Sequence, residues 1–171
     1  ATLALPDQAE PQELAYDRAR ICVNAFDSEL VSRSPIVPGR GQVLVSSPVK
    51  AATSHHLGFL HDGYDYFKFV DGRLLVGGGR HRFRAREQTT ELTPTDEVRQ
   101  YLLGLARTIV GHDRFSIDHA WAGIMGFPQG RHISTCHRTD LDETTATLNA
   151  CGGMGVALTP LVARDEALRL P

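Results

Sequence analysis

The sequence predicts an α+β fold in which most strands pair antiparallel, one helix is inserted among them, and the last helix begins at a glycine-rich turn. A hairpin pattern is the first observation, because residues 64–70 and 73–76 flank the two-residue turn Asp71-Gly72. Second, residues 93–111 carry the start, stripe and stop signals of a helix. Third, a run of glycines at 152–155 separates a short strand pattern from an apolar helical pattern.

The opening segment is polar and contains Pro6 and Pro11, so we expect residues 1–17 to form a loose N-terminal arm. One domain is expected over residues 18–168, followed by a tail at 169–171. Within the domain, residues 20–24 have the pattern of a short strand, and residues 25–31 that of one or two helical turns.

The next strand is predicted at residues 42–46, after two interruptions at Ser34-Pro35 and Pro38-Gly39. In the hairpin, Tyr64 and Tyr66 are expected on one face of the strand and Phe67 and Phe69 on the other. Residues 80–86, RHRFRAR, place an arginine at every second position. Such a run could bind phosphates, but a solvated strand edge or loop is the favoured interpretation.

The inserted helix is predicted to begin with Thr93 as its N-cap and Pro94 at its first position, and to end at Gly111. Its apolar stripe consists of Val98, Tyr101, Leu102, Leu105 and Ile109. Residues 115–122 then alternate as a strand that carries the only tryptophan, Trp121. A turn-rich connection is predicted at 123–130, and two more strands at 131–135 and 144–149.

The glycine turn is the segment of greatest chemical interest. A strand, a glycine turn and a helix in succession can present bare backbone N–H groups to an electron-rich ligand, because the first amides of a helix lack intrahelical acceptors. Glycine allows a ligand to approach the backbone closely. Most turns of this kind are only turns, so the motif needs support from the rest of the chain.

Composition limits the class of protein. The 171 residues are 42% hydrophobic and 22% charged, which is typical of one globular domain, and the formal net charge of −2 disfavours a dedicated nucleic-acid binder. No apolar run approaches the length that a membrane span needs. Three widely spaced cysteines, Cys22, Cys136 and Cys151, indicate reduced thiols in a reducing compartment, the cytoplasm or alternatively the mitochondrial matrix.

Motifs of several common catalytic classes are missing from the sequence. The eight histidines show no paired spacing of a metal site, so no metal ligand is expected. There is no GxSxG elbow and no P-loop. The default interpretation of Cys151 is a buried, inert thiol.

Four segments in order resemble the C-terminal half of FAD-dependent oxidoreductases of the D-amino-acid oxidase, glycine oxidase and sarcosine oxidase superfamily. They are PGRGQVLVSSPV at 38–49, YDYFKFVDGRLLVGGGR at 64–80, IDHAWAGIMGFP at 117–128 and NACGGMGVALTPLVA at 149–163. RICVNAF at 20–26 is similar to the strand that precedes this half in the family. The resemblance covers residues 18–168 and implies a substrate domain with a large antiparallel sheet over the flavin, together with the last elements of the FAD domain.

The resemblance also implies the roles of particular residues. It places the pyrimidine end of the flavin ring against the glycine turn and the first amides of the last helix, and the strand after Trp121 close to the flavin face. The implied substrate-binding residues are Tyr64, Tyr66, Trp121 and Met125. The implied FAD-binding residues are Gly123, Gly152, Gly153, Met154, Gly155, Val156 and Ala157. No residue is assigned as a general base.

The sequence departs from the family pattern at two points. Many amino-acid oxidases of the family carry an arginine shortly after the WAG motif to pair with the substrate carboxylate, and here Met125 stands at that position. A simple amino-acid substrate is therefore disfavoured relative to an amine. The family's GxGxxG fingerprint, which holds the FAD pyrophosphate at a helix N-terminus, is also missing, so this chain alone is not expected to hold FAD in the usual way.

Three interpretations are compatible with these departures. The chain could be a fragment or subunit of an FAD-dependent amine or amino-acid oxidoreductase, with the remaining part of the FAD site on another chain. It could be a degenerate, non-catalytic accessory subunit derived from that family. It could also be a stand-alone binder of another ligand. The first two are favoured, and both imply a protein partner on the flavin-facing surface, no nucleic acid and no membrane span.

Overall fold

The computed structural model describes residues 2–3, 12–13, 15–27, 31, 34–49, 56–129, 137–149 and 152–169. The chain forms ten strands, one 3₁₀-helix and three α-helices within these residues. In order they are β1 (Thr2–Leu3), β2 (Gln12–Glu13), β3 (Ala19–Ile21), the 3₁₀-helix (Asn24–Phe26), β4 (Ile36–Pro48), β5 (Leu57–Leu60), β6 (Asp65–Val70), β7 (Arg73–Gly78), α1 (Arg80–Phe83), α2 (Asp96–Val110), β8 (Ile117–Pro128), β9 (His137–Asp140), β10 (Thr145–Asn149) and α3 (Gly155–Ala167).

A five-stranded antiparallel sheet dominates the structure, in the order β5-β6-β7-β4-β8. The fold class predicted from the sequence, α+β with a mostly antiparallel sheet, is confirmed. The hairpin of β6 and β7 around Asp71-Gly72 is also confirmed, and Asp71 and Gly72 both have positive φ as such a turn requires. β5 was not predicted, because residues 50–63 show no clear hydrophobic period.

β4 is longer than the sequence predicted. The predicted interruption at Pro38-Gly39 is wrong, because the strand continues through these two residues. β4 pairs with β8 from Ile36 onwards, but its register with β7 begins only at Gln42. Pro38 therefore lies in the part of the strand that has one neighbour, where the lack of a backbone N–H is tolerated. The turn-rich connection expected at 123–130 is likewise wrong, since β8 continues to Pro128 against this part of β4.

α2 covers one face of the sheet and creates the main core. Its buried residues Val98, Leu102 and Ala106 pack against Leu44, Leu74 and Val76, which alternate along β4 and β7. The helix ends at Gly111 in the left-handed conformation, as predicted. Its N-cap is Thr95 rather than Thr93. The side-chain amide of Gln42 explains this difference, because it accepts from the Thr95 N–H at 2.9 Å and donates to the Thr95 hydroxyl at 3.0 Å.

A buried ion pair fastens the connection between α1 and α2 to β4. Arg40 donates to both oxygens of Glu87 at 2.9 Å, and the two residues are 3% and 1% exposed. Gln42 donates to the same carboxylate at 2.8 Å. This hydrogen bonding to Glu87 raises the pKa of the Arg40 guanidinium above its ordinary value.

The arginine run at 80–86 is not a strand edge or a plain loop. It begins with the short helix α1, so its arginines point in different directions instead of sharing one strand face. Arg82 lies over the ring of Tyr101 and Arg86 pairs with Glu97, while Arg84 is exposed. Arg80 lies over the ring of Phe127.

A smaller sheet, β3-β10-β9, lies beside the end of β8, with β10 parallel to β3 and antiparallel to β9. β10 confirms the strand predicted at 144–149. β3 confirms the strand predicted at 20–24, although it begins and ends closer to the N-terminus than predicted. The helical turns expected at 25–31 are represented by the 3₁₀-helix, and most of residues 28–33 lie outside the described residues, as does the strand predicted at 131–135.

Side-chain hydrogen bonds connect the smaller sheet to β8. Asn24 accepts from the Gly126 N–H at 3.0 Å and donates to the Ile124 carbonyl at 3.0 Å. Asn149 accepts from the Asn24 N–H at 2.8 Å and donates to the fully buried Asp27 at 2.6 Å. These bonds fix the position of the chain just before the glycine turn.

α3 confirms the closing helix. Glu166 connects it to the smaller sheet through ion pairs with Arg20 and Arg138. Most of its apolar side chains remain in solvent, including Val156 at 99% and Leu161 at 52% exposure. At the other end of the chain, β1 and β2 pair with each other, and the domain limits at 17 and 168 stay predictions. None of the helices in the described ranges has both the length and the apolar character of a membrane span.

Candidate functional site

The face of the large sheet opposite α2 is open, and aromatic side chains lie across it. Tyr66 pairs with Gly77, Gly77 with Val43, and Val43 with Trp121, so these residues form one row across four strands. Trp121 is 46% exposed. Burial raises the pKa of the Tyr66 hydroxyl above its ordinary value, so the hydroxyl, which is protonated at neutral pH in any case, resists ionisation further.

Glycines make this open face shallow. A Cβ on Gly123 would meet no atom within 4 Å, and a Cβ on its partner Gly41 would meet the methyl group of Met125 at 2.8 Å. Gly77 is covered by the ring of Tyr66. Met125 therefore covers Gly41 and Tyr66 covers Gly77, and the backbone is bare at Gly123, where a flat ligand can lie close to the sheet.

The glycine turn borders this surface on the side of β8. Gly152 donates its N–H to the carbonyl of Gly126 at 3.1 Å, which attaches the turn to the strand. Gly152 and Gly153 have φ of 54° and 86°, a conformation that glycine adopts without strain. A Cβ on Gly153 would lie 3.3 Å from the sulfur of Met125, so the turn lies beside this predicted substrate-binding residue.

The first turn of α3 has backbone donors available. Ala157 donates its N–H to the Met154 carbonyl at 3.1 Å, so this predicted FAD-binding amide is already engaged. The amides of Gly155 and Val156 have no backbone acceptor within the described part of the chain. A cavity of about 500 Å³ lies against them, lined also by Met125, Gly152 and Gly153.

These features fit the ring end of FAD. The bare backbone at Gly123 leaves room for a planar heterocycle, and the Gly155 and Val156 amides offer hydrogen bonds and a positive helix end to electron-rich ring atoms. Met154 is 56% exposed beside them. The sequence offers no GxGxxG turn for the pyrophosphate, so the fit extends to the ring end alone.

The sequence predicted that Tyr64 and Tyr66 share one strand face, and this prediction is wrong for Tyr64. It belongs to the turn before β6, because the strand begins only at Asp65, and its ring lies 5.2 Å from the ring of His81. Asp65 starts the strand because its carboxylate is fully buried and accepts from the Gly79 N–H at 2.6 Å. Tyr64 is therefore at the margin of the open face and is 54% exposed.

Asp65 also organises a cluster that the sequence analysis did not anticipate. Its second oxygen contacts His61 at 2.6 Å and accepts from the Tyr101 hydroxyl at 2.5 Å. Burial, together with this hydrogen bond, raises the pKa of Tyr101 to about 12. His61, Asp65 and His81 have ligand atoms within 4.8 Å of one another, although they come from three different segments. No spacing rule in the sequence indicates such a cluster.

The structure thus brings together most of the predicted site residues. Met125, Gly152, Gly153, Gly155 and Val156 line one cavity, and Tyr66, Trp121 and Gly123 lie on the adjoining sheet face. The sequence analysis missed Phe127 and Arg80, whose ring and guanidinium centre lie 3.6 Å apart at the margin of the same face. Phe127 lies two residues after Met125 and therefore on the same strand face. This spacing could have identified Phe127, but the strand was predicted to end before it.

Comparison with known proteins gives a consistent result. A family model described as FAD-dependent oxidoreductase matches residues 7–167. A search of curated proteins gave no match.

Three solved structures illustrate the shared fold. Glycine oxidase from Geobacillus kaustophilus is similar with a TM-score of 0.68 and 17% identity, covering 86% of this chain and 39% of that one. L-proline dehydrogenase from P. horikoshii gives 0.63 and 18%, covering 85% and 40%. Iminodiacetate oxidase from Chelativorans sp. BNC1 gives 0.59 and 17%, covering 89% and 41%. The chain therefore spans about 40% of the length of these proteins.

Proposed function

The chain belongs to the family of FAD-dependent oxidoreductases, and from this premise we propose that it forms the substrate-facing part of an enzyme that oxidises a C–N bond of an amine or amino acid. The observation that carries the proposal is the open sheet face beside the glycine turn. Bare backbone at Gly123, the row that carries Tyr66 and Trp121, and unpaired amides at the start of α3 occur together there. Each feature is common alone, but their convergence matches what a flavin ring and a small substrate need.

Bound FAD would supply the two-electron acceptor for the oxidation. The residues of this chain would stabilise the charge that develops. The amides of Gly155 and Val156 are fixed in direction by α3 and need no reorganisation during the reaction. Their position at a helix N-terminus favours negative charge on the ring end that faces them.

The side chains of the open face would form the substrate space. Tyr66 and Trp121 bound it on one side and Met125 on the other, so a ligand bound between them would be in contact with all three side chains. The protonated Tyr66 hydroxyl can donate a hydrogen bond to a substrate, whereas its raised pKa leaves very little of the phenolate that could act as a base at neutral pH. Its role is therefore to position the substrate.

We also propose that the dinucleotide-binding part of a family member covers the cavity and the first turns of α3. Similar proteins are more than twice as long as this chain, so they contain a further part that is large enough to be a dinucleotide-binding domain. The surface it would cover is apolar, with Val156 and Leu161 exposed, and it adjoins the ring-binding amides. An exposed apolar surface of this kind is typical of a protein interface.

The test is the visible spectrum and the subunit composition of the native particle. We expect a yellow particle whose flavin is bleached by an amine or amino acid, and in which this chain accompanies a dinucleotide-binding part. A colourless particle, in which a protein segment fills the glycine turn, would instead establish a non-catalytic accessory subunit.

A further inference from the structure

Two histidines and a buried carboxylate meet at the start of β6. His61 lies in the turn between β5 and β6, Asp65 is the first residue of β6, and His81 belongs to α1. Their ligand atoms all lie within 4.8 Å of one another. These residues are not among those that line the cavity beside the glycine turn, and the proposed function gives them no part.

The carboxylate of Asp65 is held rigidly and is poorly compensated for its charge. It is fully buried, and one oxygen accepts from the Gly79 N–H at 2.6 Å. The other oxygen accepts from the Tyr101 hydroxyl at 2.5 Å and contacts Nδ1 of His61 at 2.6 Å. Within the described residues it pairs with no lysine or arginine, and a histidine carries a charge only when protonated. A buried anion in this setting favours a positively charged ligand.

His81 supplies a ring nitrogen that has no other partner. Its Nδ1 is buried and makes no hydrogen bond within the described part of the chain. The ring is fixed by its neighbours, with centroids 5.2 Å from Tyr64, 6.2 Å from Tyr101 and 5.6 Å from His61. A buried nitrogen without a hydrogen bond is uncommon and needs an explanation. The lone pair of a neutral imidazole nitrogen is a good metal ligand.

We propose that His61, Asp65 and His81 bind a zinc ion, with water as the fourth ligand. Two imidazoles and a carboxylate are typical zinc ligands. The Gly79 N–H occupies one oxygen of Asp65, so the carboxylate gives the ion a single oxygen, which suits four-coordinate zinc better than Mg²⁺ or Ca²⁺ with their larger oxygen shells. The hydrogen bonds from Gly79 and Tyr101 orient this ligand, as outer partners do in zinc sites.

The geometry admits the ion after a small movement. Ligand atoms around a tetrahedral zinc lie about 3.3 Å apart, so the His61 ring would move roughly 0.7 Å away from Asp65. The His61 side chain is 54% exposed, which allows this movement and gives the ion and its water access from solvent. The ion would replace the proton between His61 and Asp65, which passes to solvent.

A bound ion would join three segments that are otherwise connected through single contacts. It would attach the turn before β6 and the helix α1 to the first residue of β6. The sequence analysis expected no metal ligand, because it searched for paired spacing along the chain. Here His81 reaches the other two residues only through the pairing of β6 with β7.

The first measurement is a calorimetric titration of the chelator-treated full chain with Zn²⁺. We expect one ion per chain, and no comparable binding of Mg²⁺. His61→Ala and His81→Phe should each weaken zinc binding at least about 100-fold, because each removes one ligand. Phenylalanine keeps a ring at residue 81. His119→Ala is the control, because His119 is exposed on β8 at the opposite edge of the sheet, and its affinity should not change.

The second measurement is thermal unfolding with and without zinc. At a zinc concentration about 100 times the dissociation constant, the midpoint should rise by about 5–10 °C in wild type and in His119→Ala. The same zinc concentration should leave the midpoint of His61→Ala unchanged, and this variant should fold because His61 is largely exposed.

Three results would overturn the inference: no zinc binding by the folded wild type, unchanged affinity in His61→Ala and His81→Phe, or tighter binding of Mg²⁺ or Fe²⁺ than of Zn²⁺. Neither measurement depends on flavin or on turnover. Failure of the zinc site therefore leaves the proposed oxidoreductase function standing, and a colourless particle leaves the zinc site standing.

Discussion

The two faces of the five-stranded sheet are built on opposite principles. The face under α2 is filled, and Leu44, Leu74 and Leu102 are at most 2% exposed. On the other face, Trp121 is 46% exposed and a Cβ on Gly123 would meet nothing. Successive side chains along each strand point alternately to the two faces, so the same strands form both faces.

The difference indicates that one face of the sheet stabilises the fold and the other is available for binding. Close packing against α2 stabilises the sheet, because buried apolar groups and satisfied hydrogen bonds carry most of the folding free energy. The open face contributes little of this stability and is therefore available for ligands. Substitutions on the filled face should act mainly on stability, and those on the open face mainly on binding.

The largest stability effect is expected at the buried ion pair between Arg40 of β4 and Glu87. Glu87→Ala leaves the Arg40 guanidinium and the Gln42 amide without their shared acceptor. We expect the free energy of unfolding to fall by about 3–5 kcal/mol. Glu91→Ala is the matched control, because Glu91 lies 3.9 Å from the same arginine but is 79% exposed, and its loss should cost less than about 1 kcal/mol. Urea unfolding of the purified protein compares the two, and equal losses would contradict a central role for Glu87.

A direct comparison of the faces follows from two truncations. Leu102→Ala creates a cavity in the filled face and should lower the free energy of unfolding by about 2–5 kcal/mol. Trp121→Ala removes a larger side chain, but from the open face, and should cost about 1 kcal/mol or less. Thermal unfolding followed by circular dichroism measures both. If Trp121→Ala proves the more destabilising, the two faces do not divide their roles as described.

A smaller effect is expected at alkaline pH, where the hydrogen bond of Tyr101 to Asp65, which joins α2 to the start of β6, is affected. Its pKa is raised to about 12 in the folded protein, so folding favours the protonated phenol. The resulting stability is complete below pH about 10, the ordinary tyrosine pKa, and is lost as pH rises through about 12. Tyr101→Phe should flatten this part of the stability profile. An unchanged alkaline slope in the variant would exclude Tyr101 as its source.

The sequence was sufficient to predict the parts of the fold that rest on local chemistry. The hairpin turn at Asp71-Gly72 and the helix stop at Gly111 follow from positive φ values that few residues adopt. The helix start was placed two residues early because Gln42, distant in sequence, selects Thr95 as the N-cap. Such a long-range bond leaves no local signal.

The site was predicted less evenly. Residues of the resembling segments, such as Met125 and Gly153, were found through family resemblance, and both line the same cavity. Arg80 was missed because RHRFRAR has strand-like alternation, although the chain turns into a helix there. Its position over Phe127 depends on the pairing of β4 with β8, which alternation alone cannot reveal.

The most direct test of the open face as the flavin surface is Gly123→Val. Gly123 is preferable to Gly153, whose φ of 86° would add strain to any substitution. Valine suits a strand and has room at residue 123, so the fold should be kept, while its branched side chain would hold a flat ring away from the backbone. Ala120→Val, an exposed position on the same strand but on its opposite face, is the control.

The measurement is the ratio of flavin to protein in the purified native particle, from its visible spectrum. We predict that Gly123→Val loses the flavin, at unchanged thermal stability of the protein part, and that Ala120→Val retains it. Full flavin occupancy in a correctly folded Gly123→Val protein would contradict the assignment of this sheet face to the flavin.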